Sequence, residues 1–126
     1  MLVKNTKLSA ADAIEALKAG IEEQGLRVVA HINGQANAAK LGISVPADQI
    51  LEVFRPDFAI RVWQACKPAG MDIPLRIHVY ENGSGVHVAC RLPTSVFRSW
   101  NVPELTAIGV ELDPMFQAII DHVPES

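Results

Sequence analysis

Several signals that would assign a function directly are missing from this sequence. Its only two cysteines, Cys66 and Cys90, form neither a C-x-x-C pair nor a Cys/His spacing typical of zinc sites. The G-x-S-x-G, P-loop, dinucleotide-binding and H-E-x-x-H motifs are absent too, which removes the common routes to catalysis. We therefore predict no cofactor and interpret both cysteines as small buried side chains.

Basic clusters and long apolar runs are also lacking. The net charge is −3, and no group of lysines and arginines forms the positive stripe that binds nucleic-acid phosphates. No apolar run approaches the ~18 residues that a membrane span needs. The N-terminal stretch MLVKNTKLSAADAIEALKAG has the character of an amphipathic helix and contains no apolar signal core. We expect a cytoplasmic protein with neither nucleic-acid nor membrane partners.

Apolar residues, by contrast, are abundant. They make up 49% of the 126 residues, and charged residues make up 20%. This length suits a single domain over residues 1–126. A domain this small has little interior in which to bury so much apolar surface. We therefore predict that part of this surface is buried between the subunits of a two-fold homodimer.

Hydrophobic periodicity and turn residues predict alternating helices and strands. In chain order, the predicted elements are a helix between Ser9 and Gly25, a strand over 26–33, a short helix over 35–42, a strand over 50–54, a helix capped by Asp57, a hairpin over 75–91, a helical turn over 95–102, and a last short helix begun by Asp113 and Pro114. This order predicts an α+β fold with two layers, a curved antiparallel sheet and helices on one of its faces.

The third predicted helix carries its apolar residues at helical spacing. Ala59, Val62, Trp63 and Cys66 recur at i, i+3, i+4 and i+7. We interpret this stripe as facing the core, with Trp63 as a buried anchor. The same interpretation places Cys66 in the core rather than in a nucleophilic site.

Two registers are open for the hairpin. Asn82-Gly83 is a strong signal for a tight turn, and its use brings His78 directly across from His87. A turn at Gly83-Ser84 brings Tyr80 across from His87 instead. Both registers keep the apolar face separate from the polar face, so the sequence leaves the choice open.

The polar face of this hairpin contains the candidate site. Alternation along the strands places six side chains on this face, counting one from the strand over 26–33: His31, Arg76, His78, Tyr80, His87 and Arg91. We name these six as candidate ligand-binding residues, because arginine and tyrosine suit a small anionic or aromatic ligand. The same residue types also suit a face that is covered by a second subunit.

The alternative is a metal-dependent protein or another enzyme that uses His31, His78 and His87. Neutral imidazole is the commonest metal ligand, and three ligands with an open position are typical of catalytic zinc. The alternation places no carboxylate beside these histidines. We therefore name no catalytic residue and no metal ligand, and favour a protein without catalytic activity that binds a small ligand or another protein.

Several strings resemble the bacterial and archaeal domain-of-unknown-function family 302. They are QANAAKLG after Ile32, EVFRP over 52–56, and GMDIPLRIHVYENGSGVHV over 70–88. The resemblance extends from about Asp12 to Val123. It implies a two-layer α+β fold similar to one TATA-binding-protein-like repeat, and a small dimeric protein. It implies no chemistry, and a likeness of fold to a DNA-binding architecture does not transfer function.

The sequence departs from the family pattern at polar positions. Asn33-Gly34 stands where the family often has Asp-His, and Arg55 stands where it has asparagine before the proline. After the hairpin, Arg91 and the two residues that follow it replace an N-D-P string. We carry over no functional residue from the family.

Overall fold

The computed structural model describes residues 1–126 as five strands and five α-helices. The strands are β1 (Leu2–Thr6), β2 (Arg27–Asn33), β3 (Asp48–Phe54), β4 (Leu75–Asn82) and β5 (Gly85–Cys90). The helices are α1 (Ala10–Glu23), α2 (Gly34–Ala39), α3 (Pro56–Ala65), α4 (Pro93–Phe97) and α5 (Pro103–Asp121). Two short 3-10 helices cover Lys67–Asp72 and Arg98–Trp100.

The strands form one sheet in the order β1-β5-β4-β3-β2, and every neighbouring pair is antiparallel. Alternate residues of the three central strands point to one face and are buried. The apolar sides of α1, α3 and α5 complete a hydrophobic cluster of 25 buried residues with that face. The predicted α+β fold with helices on one sheet face is confirmed.

The first strand was not predicted. Residues 2–6 pair with β5 instead of extending the first helix, which begins at Ala10. Lys4 lies opposite Val88, on the helix-covered face, and its ammonium group donates hydrogen bonds to the carbonyl oxygens of Ile120 and Val123 at 3.2 and 2.8 Å. These carbonyls lie at the C-terminal end of α5, where a cation is favoured. Lys4 therefore joins an edge strand to the last helix.

The start of α1 is confirmed and that of α3 is corrected. Ser9 Oγ accepts a hydrogen bond from the Asp12 backbone amide at 3.1 Å, as the capping pattern predicts. The cap position of α3 is Arg55 rather than Asp57, because Pro56 already occupies the first turn. Asp57 instead accepts hydrogen bonds from the Arg55 guanidinium, which lower the pKa of its carboxyl group.

The predicted helix start at Asp113-Pro114 was wrong, because α5 runs through both residues. The Asp113 carboxylate does not cap its own helix. It accepts hydrogen bonds from the backbone amide and hydroxyl of Thr94 at 3.0 and 2.8 Å, at the start of α4. Pro114 leaves the carbonyl four residues earlier without a helical donor. That carbonyl belongs to Val110, an exposed residue, so water can satisfy it.

Trp63 was also misassigned. Trp63 is 44% exposed, whereas Phe58 and Val62 form the buried side of α3. The Lys67 ammonium lies 4.9 Å from the centre of the indole. Trp63 therefore lies on the outer side of the helix, with the Lys67 ammonium over its ring.

Candidate functional site

The sheet face opposite the helices is not covered by any element of the chain, and we call it the open face. Its residues are exposed or half-buried, in contrast to the buried alternate positions. One row across the strands consists of Val3, Ala89, His78, Ile50 and Ile32. The row toward the hairpin turn contains Asn5, His87, Tyr80 and Asp48, and the row on the other side contains Arg76, Glu52 and Ala30.

A β-bulge in β2 changes which residues reach the open face. Val28 lies opposite Val53 and Ala30 lies opposite Glu52, so Val29 is the extra residue. Alternation after the bulge is therefore reversed relative to the strand's start. The bulge moves Ile32 to the open face, where the sequence had placed it in the core.

The same bulge moves His31 to the helix side of the sheet. His31 lies opposite Leu51, a fully buried core residue, and its Nε2 lies 2.6 Å from Gln49 Oε1. The prediction that His31 shares a face with His78 and His87 was wrong. A site made of these three histidines is not assembled by this fold.

The hairpin uses the second of the two registers. Tyr80 lies opposite His87, and Asn82 lies opposite Gly85, so the turn residues are Gly83-Ser84. Gly85 has φ 112°, and the Asn82 side chain accepts a hydrogen bond from the Ser84 amide at 2.9 Å. The turn is closed by the Asn82 side chain and followed by a glycine with positive φ. These two features explain why the turn lies one residue later than the Asn-Gly pair predicts.

This register brings three aromatic rings together on the open face. The Tyr80 ring lies between His78 and His87, with ring centres 4.8 and 5.1 Å away. His87 Nε2 is within 3.0 Å of both Asn82 Oδ1 and Ser84 Oγ. His87 is thus satisfied by the hairpin's own turn, which indicates a local structural role.

His78 has an acidic neighbour that the sequence did not reveal. Its Nε2 lies 2.9 Å from Oδ1 of Asp48, which is directly opposite Tyr80 on β3. The expectation that no carboxylate joins the histidines on this face was therefore wrong. Strand β3 begins two residues earlier than predicted, and Asp48 is its first residue.

A groove of about 360 Å³ lies at one end of the open face, where β4 begins and β5 ends. Three of the predicted ligand-binding residues line it, namely Arg76, His78 and Arg91. Tyr80 and His87 lie on the same face beyond the groove. The remaining lining comes from the turn before β4, the first residue of the chain, α4 and the neighbouring strands: Met1, Ile50, Glu52, Met71, Asp72, Ile73, Pro74, Leu75, Ala89, Cys90 and Val96.

The charged groups of the groove differ in whether they have partners. Asp72 Oδ2 accepts a hydrogen bond from Trp100 Nε1 at 2.6 Å. Arg76, Arg91 and Glu52 take part in no side-chain hydrogen bond and in no ion pair within 4.0 Å. The groove therefore contains two free guanidinium groups, the α-ammonium group of Met1 and one free carboxylate.

Glu52 and Asp72 are the polar groove residues that the sequence analysis missed. Glu52 is the one charged residue in the predicted strand over 50–54 and alternates with the buried Leu51 and Val53. The alternation of Glu52 with buried residues is visible in the sequence. The sequence does not show that β4 lies beside this strand. Asp72 lies just before β4, within the string GMDIPLRIHVYENGSGVHV.

Cys90 lines the groove but is not a reactive thiol. It is 2% exposed, and burial raises the pKa of its thiol to about 12. Its Sγ donates a weak hydrogen bond to the Arg91 carbonyl at 3.3 Å. A nucleophile needs a thiolate, so this environment does not support catalysis by Cys90.

Comparison with curated proteins finds similarity to part of a longer protein. The chain is 25% identical over 85 residues to the Fluoride-specific ion channel FluC 1 of Brucella suis and to that of Brucella abortus. The match covers 68% of this chain and 34% and 32% of those proteins. The aligned part is thus about a third of their length. No helix of this chain is both long enough and apolar enough to cross a membrane.

Comparison with solved structures finds the same fold over almost the whole chain. The crystal structure of an uncharacterized conserved protein DUF302 from Bacillus stearothermophilus superposes with a TM-score of 0.86 at 21% sequence identity. The superposition covers 98% of this chain and 97% of that one. At this identity the likeness describes the fold alone. Residues 2–123 also match the family model described as Domain of unknown function DUF302, and the chain therefore belongs to the DUF302 family.

Proposed function

We propose that this protein is a non-catalytic binding module for a small organic anion, and that the groove at the end of the open face is its site. The observation that carries the proposal is the pair Arg76 and Arg91, two guanidinium groups in one groove with no acidic partner within 4.0 Å. Guanidinium groups present fixed donors that match a carboxylate or a phosphate.

The position of the two arginines supports an anion rather than a structural role. The β4–β5 ladder ends with Ile77 opposite Cys90, so the next antiparallel pair would be Arg76 and Arg91. Like charges at such positions repel each other. A bound anion removes this repulsion. The relief contributes to the free energy of binding in addition to any contact with the apolar walls.

The volume of the groove favours a small ligand. About 360 Å³ lies near the lower end of the range for small-molecule sites. The walls combine apolar side chains with a few polar groups, as ligand pockets usually do. A large polyanion would need a wide basic surface, and the chain's net charge is −3.

The test is a thermal-shift screen followed by titration of isotope-labelled protein with acetate, benzoate, phosphate and fluoride. Fluoride belongs in the panel because the Brucella relatives are named as fluoride-specific channels. We expect chemical-shift changes that begin at the groove, and a loss of affinity of at least about tenfold in Arg76→Ala and in Arg91→Ala.

Arg98→Ala is the matched control, because Arg98 is exposed, forms no ion pair and does not line the groove. Its affinity should equal that of the wild-type protein. If no anion at millimolar concentration perturbs the groove residues, or if the three arginine variants behave alike, the proposed site is wrong.

A further inference from the structure

We infer that the groove binds a zwitterion, specifically a free α-amino acid with an apolar side chain; this inference rests on the proposed function. An anion alone would use only the two arginines. The juxtaposition that points further is Glu52 beside Arg76 in the same groove, with both charged ends free.

Glu52 and Arg76 are directly opposite each other on β3 and β4. Side chains at such positions start with Cβ atoms about 5 Å apart, and opposite charges there usually pair. Here the carboxylate and the guanidinium do not approach within 4.0 Å. Each therefore keeps its hydrogen-bonding capacity for a third group.

Two other polar side chains of the groove are already occupied. Asp72 accepts from the Trp100 indole, and His78 lies against Asp48. The free set is thus three cations, counting the Met1 α-ammonium group with the two guanidinium groups, and one anion. An α-amino acid presents the complement of this set, because one carbon separates its carboxylate from its ammonium group.

The walls of the groove indicate the nature of the rest of the ligand. Eight of the fourteen lining residues are hydrophobic. Ile50, Ile73, Leu75 and Val96 provide branched aliphatic surface, and Met71 is 80% exposed beside them. Burying aliphatic ligand surface against these side chains stabilises the complex. The groove therefore favours leucine-like, methionine-like or phenylalanine-like side chains over charged ones.

The experiment compares L-leucine with two truncated probes by calorimetric titration. 4-Methylpentanoate lacks the ammonium group, and 3-methylbutylamine lacks the carboxylate. We expect wild-type protein to bind L-leucine at least about tenfold more tightly than either probe, because a charge-assisted hydrogen bond is lost in each. Glu52→Gln should reduce the affinity for L-leucine to that for 4-methylpentanoate and leave the affinity for 4-methylpentanoate unchanged.

Glu81→Gln is the control, since Glu81 is an exposed carboxylate of β4 outside the groove. L-methionine and L-phenylalanine extend the test to other apolar side chains. If 4-methylpentanoate binds through Arg76 and no amino acid binds more tightly, the zwitterion is refuted while the proposed anion site stands. If neither the amino acids nor 4-methylpentanoate binds, both proposals fail.

Discussion

Burial strongly affects the Cys90 thiol, which lies in the hydrophobic cluster under the sheet. Desolvation disfavours the thiolate and raises the pKa of Cys90 from 9.0 to about 12. The folded protein therefore holds this proton more tightly than the unfolded chain does. The resulting stabilisation is complete below about pH 9 and is lost as the pH rises toward about 12.

We predict that the wild-type protein loses stability more steeply than Cys90→Ala between about pH 9 and about pH 12. The measurement is the free energy of unfolding in urea at several pH values, because the difference between the two proteins cancels the titration of lysines and tyrosine. Cys66→Ala provides the comparison with a half-buried thiol. Parallel pH profiles for wild-type protein and Cys90→Ala would contradict the prediction.

The burial of a single side chain could be predicted where alternation along a strand decides which face of the sheet it occupies. Cys90 shares the parity of Val86 and Val88, and it is buried as expected. Trp63 was not predictable in this way, because a helix has a graded boundary between its buried and exposed sides. A tryptophan one position beyond Val62 fits either side by spacing alone, and in the structure it lies outside the buried side of α3, beside the Lys67 ammonium.

At the scale of elements, the bulge in β2 determines which residues reach the open face. Val29 is the extra residue, and it is 59% exposed. Val28 and Ala30 lie opposite Val53 and Glu52, which are adjacent in β3. Removal of Val29 would therefore leave a regular ladder with the flanking partners unchanged.

We predict that deletion of Val29 yields a folded protein that unfolds cooperatively, with a loss of about 1–3 kcal/mol in stability. The reason is that both sides of β2 keep their core contacts. Deletion of Val79 is the control. Val79 lies in a regular central strand, so its deletion shifts every later side chain of β4 to the opposite face of the sheet. The measurements are thermal unfolding and amide spectra. A deletion variant of Val29 that fails to fold would show that the bulge is needed for the sheet.

Longer elements show a second limit of local patterns. The Asp113-Pro114 pair has the form of a helix start, yet α5 continues through it. The carboxylate of Asp113 is used by Thr94 of another helix, 19 residues earlier in the chain. Such a contact is invisible to any pattern that considers only near neighbours.

For the whole molecule, the predicted homodimer stays a prediction. Large apolar side chains remain exposed on the open face, including Val3 at 57% and Ile32 at 43%. Exposed apolar surface on a chain that is 49% hydrophobic is typical of a protein that associates with itself.

Light scattering at micromolar concentration should give about twice the 13.7 kDa of one chain. Val3→Glu should shift the protein toward the monomer, because a charge on this face would be desolvated in a dimer. Val110→Glu, an equally exposed apolar position on α5, is the control for a charge added elsewhere. A wild-type protein that is monomeric at these concentrations would refute the prediction.

The sequence by itself determined the strands of the hairpin, the start of α1, the mixed α+β class and the arginine-rich face, because each depends on residues a few positions apart. Only the tertiary structure decided that β1 closes one edge of the sheet, that His31 turns to the helix side, and that Glu52 lies beside Arg76. These features depend on the order and register of strands that are distant in the chain. Alternation defines two faces for each strand, but it contains no information about which strand lies next to it.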